Sequence, residues 1–143
     1  MDTMSLLSPR EIEHYWPSLC EELQKVPHIW NQCWTLDALK TGIDLGQFQL
    51  WGCGSEQKLE LMLFTKSATF PAATILEVFL AVGNQLDRLL PVIVATLHRF
   101  AFENKCQRVD ICGRFGWERK LREIGFRRDH VVLSYDVPDI TLQ

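Results

Sequence analysis

The sequence predicts an α/β fold of the α+β kind: a single domain with a mixed, mostly antiparallel central sheet and helices on both faces. Three observations predict it. Residues 47–51 and 59–64 alternate polar and apolar side chains on either side of a turn from Gly52 to Gln57, which reads as a hairpin. A long amphipathic stretch from about Gln85 to Asn104 stands between two apolar, branched segments. Near the end, Cys112-Gly113-Arg114-Phe115-Gly116-Trp117-Glu118-Arg119 and then Leu121-Arg122-Glu123-Ile124-Gly125-Phe126 read as strand, glycine-rich turn, short helix and a Gly-Phe that opens a last strand.

Taken in order, Ser8-Pro9-Arg10-Glu11 is a helix start: Ser8 caps, Pro9 suits the first helical position, and Glu11 closes a capping box. Residues 4–7 form a short strand before it. Ile12, Tyr15, Trp16 and Leu19 recur at helical spacing, and Pro17 predicts a break with a second helical piece to about Lys25. Thr35 caps another helix, from Leu36 to about Thr41, which Gly42 and Gly46 end. This helical part, residues 1–44, precedes the sheet part, residues 45–137. The hairpin comes next, then a third strand over residues 74–82. In the long helix Leu89, Val92, Ile93, Leu97, Phe100 and Ala101 make the apolar face. Residues 109–112 are a fourth strand, 115–124 a helix and 130–136 a final strand.

The chain has 143 residues, 47% apolar and 23% charged, enough to bury a core without metals or disulfides. Cys20, Cys33, Cys53, Cys106 and Cys112 are odd in number and lack CxxC spacing, which predicts reduced, mostly buried thiols. Four scattered histidines supply no ligand spacing, so no metal site is expected. Asp2 and the lack of a basic flank and an apolar run argue against a secretory signal, and no run suits a membrane span. The net charge of −3 divides unevenly: residues 1–98 carry −5, residues 99–128 carry +5 and the remainder −3. The basic stretch suits a solvated face or an acidic partner. An acidic overall balance and the absence of a stacking motif weigh against nucleic acid.

The order of elements, with Ile124-Gly125-Phe126 before the last strand, resembles the GNAT superfamily of N-acetyltransferases over about residues 45–137. The resemblance implies acetyl-CoA between two splayed strands, its pyrophosphate held by amides at the start of the long helix. On that template Gly83, Asn84, Gln85 and Arg88 are the coenzyme-binding residues and Glu77, in the third strand, the general base. Two departures stand against it. The family's glycine-rich loop is replaced by Val82-Gly83-Asn84-Gln85-Leu86-Asp87-Arg88-Leu89-Leu90-Pro91, where Leu86, Leu89 and Leu90 add bulk, Asp87 adds negative charge, and Asn84 with Asp87 suits self-capping. The family's tyrosine four residues before the glycine is here Leu121, which cannot give a proton to a leaving thiolate.

The turn at residues 113–117 is similar to that of acetyltransferase-like proteins of tailed phages and prophages. That resemblance implies a non-catalytic protein with no cofactor. It would work by protein–protein contact in a virion or its assembly, in the host cytoplasm or the particle, with self-association also open. Arg114, Trp117, Arg119, Trp30 and Trp34 are then the partner-binding residues, with salt bridges and core packing as their ordinary alternatives. The alternative is an acetyl-CoA-dependent N-acyltransferase with a divergent coenzyme loop. His98, His130 and Cys112 lack the partners that catalysis needs.

Overall fold

The computed structural model describes residues 1–25, 33–55, 58–112 and 115–138. They form β1 (Thr3–Leu6), α1 (Pro9–Gln24), α2 (Leu36–Asp44), β2 (Phe48–Ser55), β3 (Lys58–Thr69), β4 (Thr74–Gly83), α3 (Leu86–Glu103), β5 (Arg108–Ile111) and α4 (Phe115–Glu123). Residues 1–113 make one compact unit and residues 114–143 a second.

In the first unit the sheet runs β1-β2-β3-β4-β5. The first three pairings are antiparallel and β4–β5 is parallel, because α3 carries the chain back across one face. Each face has its own core. Trp51, Cys53, Leu61, Leu63, Leu76 and Val78 pack on Leu89, Ile93, Leu97 and Ala101 of α3. On the other face Leu50, Phe64, Leu80 and Val82 meet Ile12, Leu19 and Leu23 of α1 and Leu39 of α2.

One irregularity sets the layout. Leu76 and Val78 face α3, yet Leu80 and Val82 face α1 and α2. Strict alternation would keep all four on one side. The register jumps between Phe64↔Leu80 and Thr65↔Val78, leaving Phe79 as an extra residue in β4. This β-bulge reverses the strand's faces at its middle. Beside it, fully buried Thr65 accepts a hydrogen bond from Trp51 Nε1 and donates one to Gln49 Oε1, each 2.9 Å, so no polar group is stranded there.

The capping box is present: Glu11 N donates to Ser8 Oγ and Ser8 N to Glu11 Oε1. The break at Pro17 is not. Helix α1 runs through it, since exposed Pro17 frees only a carbonyl that water can satisfy, while Leu19 and Leu23 anchor the far half in the core. Similarly, α2 continues through Gly42 to Asp44 because Gly42 lets the ring of Phe48 approach, where a Cβ would lie 2.2 Å from it. Strand β2 also runs on to Ser55. Residues 56 and 57 of the expected turn lie outside the described residues. No helix among the described residues is long and apolar enough to cross a membrane.

In the second unit α4 ends as a Schellman motif: Phe126 N donates to Leu121 O, and Gly125 N donates to Arg122 O. Gly125 has φ +104°, which explains the glycine before Phe126. The expected strand over residues 130–136 is corrected: no strand is assigned there, and Val131, Val132, Leu133 and Tyr135 are exposed. Alternating side chains define two faces for a strand but cannot supply a neighbouring edge to pair with.

Candidate active site

The site lies where β4 and β5 stop pairing. Their ladder runs from Ile75↔Arg108 to Val78↔Ile111 and closes with Cys112 N donating to Val78 O at 3.0 Å. Beyond that rung residues 79–83 pair only with β3 among the described residues. Half of their backbone polar groups therefore have no strand partner among the described residues, and the bulge at Phe79 sits where the β4–β5 pairing ends.

This run of β4 leads to the start of α3. Its N-cap is Gln85, in the left-handed region at φ 67°, and no side chain caps the helix. The expected cap by the Asn84 side chain is corrected: the N-cap is Gln85, which makes no side-chain capping hydrogen bond among the described residues. The expected blockage by leucines is corrected too. Leu89 and Leu90 are 0% and 8% exposed, and Leu86 packs on the α3-side core, because an amphipathic helix turns such residues inward. Gly83 has φ +125°, and a Cβ there would lie 2.3 Å from Glu60 O, so the backbone passes close to β3 just before the helix. Gly83, Asn84 and Gln85 form the exposed entry to α3, and the Asn84 amide donates to Glu60 O at 3.0 Å. Arg88 is engaged otherwise, pairing with Asp2 at 3.1 Å and with Glu60. Asp87 stands in the first turn as expected, where it favours the helix but repels an anion.

On the α1 face, a row of residues crosses four strands: Phe48 opposite Lys66, Lys66 opposite Glu77, and Glu77 opposite Asp110. Glu77 is half-buried, not a freely solvated carboxylate, and accepts from Cys112 Sγ at 3.4 Å. Partial burial, then the charges of Glu77 and Asp110, push the Cys112 thiol up to about 11. It stays protonated at neutral pH, which fits a donor to Glu77 and excludes a ready nucleophile. Asp110 is occupied by the guanidinium of Arg108 at 2.7 and 3.1 Å. Lys66 Nζ lies over the rings of Trp34 and Phe79, 5.5 and 5.3 Å from their centres. Those rings and Phe48 pack edge-on or tilted, with centres 5.0–5.4 Å apart.

Trp34, expected at a partner surface, is therefore half-buried in this aromatic wall. Trp30 and Arg114 lie outside the described residues. In the second unit Trp117 is half-buried and Arg119 exposed. Leu121 is buried, and Glu118 is held below the usual carboxylate range by hydrogen bonding from Arg128 and by Arg122, so part of the basic segment is already paired. Lys66 and the bulge at Phe79 were missed from sequence. The lysine in an otherwise alternating strand was a usable signal; the bulge had none.

An open strand edge beside an uncapped helix, on a mixed sheet covered on both faces, is the layout of a GNAT-like acetyltransferase fold. Solved structures bear this out. A GNAT family acetyltransferase from Staphylococcus aureus matches with TM-score 0.65 and 12% identity, covering 95% of this chain and 98% of that one. A ribosomal-protein-alanine N-acetyltransferase from Brucella melitensis matches at 0.69 and 14%, covering 96% and 100%. A glucosamine-6-phosphate N-acetyltransferase from Arabidopsis thaliana matches at 0.69 and 10%, covering 96% and 99%. At such identities these likenesses establish the fold alone. No family model and no curated sequence matches the chain. The resemblance to phage proteins rests on the sequence pattern only.

Proposed function

We propose that the chain is an N-acyltransferase that takes its acyl group from a coenzyme A thioester, acetyl-CoA in the simplest case. The observation that carries this reading is the uncapped start of α3 beside the unpaired run of β4. Open first-turn amides favour an anion such as a diphosphate, Gly83 removes bulk at the entry, and residues 79–83 offer backbone partners to the amide-bearing arm of the coenzyme. The thioester supplies an activated acyl carbon and a thiolate leaving group. Glu77 accepts one proton from the acceptor ammonium, directly or through water; the freed amine nitrogen bonds to the acyl carbon, the C–S bond breaks, and the nitrogen's second proton passes to solvent. The departing sulfur takes a proton from solvent, since Leu121 has none to give and the Cys112 thiol, pushed up to about 11, holds its own.

Acetyl-CoA at a hundredfold excess over its dissociation constant stabilises the chain by about 2.7 kcal/mol on this reading, seen as a raised Tm. Replacing Glu77→Gln lowers acyl transfer by about 10² to 10⁴-fold while leaving that thermal shift intact. Absence of any shift at millimolar acetyl-CoA refutes the proposal.

A second reading is favoured by the carboxylates Asp2, Glu60 and Asp87 gathered around the start of α3. In it the domain is inert and binds other proteins, with Trp117 and Arg119 in the contact, as a phage assembly component would. The same acetyl-CoA titration separates the two.

A further inference from the structure

Lys66 and Glu77 stand directly opposite each other on β3 and β4, on the same face. Opposed residues in an antiparallel pair have Cβ atoms roughly 4.5–5.5 Å apart, close enough for an ion pair. No ion pair forms between these two. The ammonium of Lys66 lies over Trp34 and Phe79, and among the described residues Glu77 accepts from the Cys112 thiol alone. Asp110, the next residue of the row, is by contrast satisfied by the fork of Arg108. The site thus carries one cation and one anion, both half-buried, side by side and not neutralising each other.

We infer that the acyl acceptor is a small zwitterion, an amine with a carboxylate one carbon away, as in a free α-amino acid. This rests on the acyltransferase reading. The acceptor's ammonium meets Glu77 and its carboxylate meets Lys66, and each contact is a charge-assisted hydrogen bond in a partly dried site. A simple amine leaves Lys66 without an anion. The rings of Trp34, Phe48 and Phe79 give the acceptor's side chain an apolar wall beside the charged pair. The step balances: Glu77 takes one proton from the ammonium, the freed amine nitrogen bonds to the acyl carbon as the thioester sulfur leaves with the C–S electron pair, and the nitrogen's second proton passes through solvent to that thiolate. Lys66 touches only the carboxylate and is a positioning residue.

The test uses the full chain with saturating acetyl-CoA and matched probes: the L-amino acids against the amines that lack the carboxylate, phenylalanine against phenethylamine for example. Transfer is expected to favour at least one amino acid over its amine by about tenfold or more in kcat/KM. Lys66→Met, which keeps the stem over the rings, abolishes that preference by raising KM for the amino acid by a far larger factor than KM for its matched amine. Lys66→Arg restores it. Calorimetry without acetyl-CoA reads the same ranking as binding. Equal rates for the matched pairs, or a preference that survives Lys66→Met, overturns the inference and leaves the acyltransferase reading standing. Amino-acid binding that depends on Lys66 without any acyl transfer supports the zwitterion site and overturns the acyltransferase reading.

Discussion

The two longest helices begin in opposite ways. Helix α1 is closed by its own residues, with Ser8 and Glu11 exchanging hydrogen bonds across the first turn. Helix α3 begins at a left-handed Gln85 with no capping side chain, behind a glycine whose Cβ has no room. Both helices bury one face in a core, so packing does not distinguish them. What differs is where the unpaired amides point: α1's are satisfied locally, and α3's lie beside a strand run with an unpaired side. A helix start without its own cap costs stability, roughly 1 kcal/mol, and is retained where an outside group takes the amides.

The comparison breaks most visibly at Gly83. Replacement Gly83→Val forces a branched side chain onto Glu60 O at positive φ, and a loss of about 3 kcal/mol is expected in denaturant unfolding, together with loss of acetyl-CoA binding. Unchanged stability would show that the approach of β3 to the α3 entry is not tight. Next in size, Ser8→Ala removes α1's cap and costs about 1 kcal/mol without altering coenzyme affinity. A change in affinity would mean that the two helix starts are coupled. Smaller still, Glu60→Gln releases Arg88 from one of its two carboxylates and is expected to tighten acetyl-CoA binding about threefold by calorimetry. Weaker binding would place Glu60 itself in the site. The smallest effect is in pH. Hydrogen bonds from Ser8 hold Glu11 below its ordinary 4.5, so its contribution is complete above that value. It is lost as pH falls through the depressed folded value, and acid titration of Glu11→Gln, which removes the titrating carboxyl, should show that component missing.

Much of the frame was legible because it depends on local patterns. The Ser8-Pro9-Arg10-Glu11 start, the hairpin, the spacing of Leu89, Ile93, Leu97 and Ala101, and the glycine after α4 each follow from a few neighbouring residues. The failures came where distant packing overrode local preference. Pro17 did not break α1 because Leu19 and Leu23 were anchored elsewhere. The leucines of α3 looked like an obstruction in one dimension and turned inward in three. Glu77 entered the candidate site only through the family pattern, and Lys66 not at all, since facing it across a strand pair is a matter of register.

By itself the sequence determined most of the helices and strands of the first unit and which of their faces are apolar, because propensity, capping and periodicity act within a few residues. Only the tertiary structure decided that one extra residue at Phe79 reverses β4, that β4 and β5 part after Val78, and that Lys66 stands across from Glu77 without pairing to it. Those are relations between strands far apart in the chain, and register, unlike helix periodicity, has no signature in either strand alone.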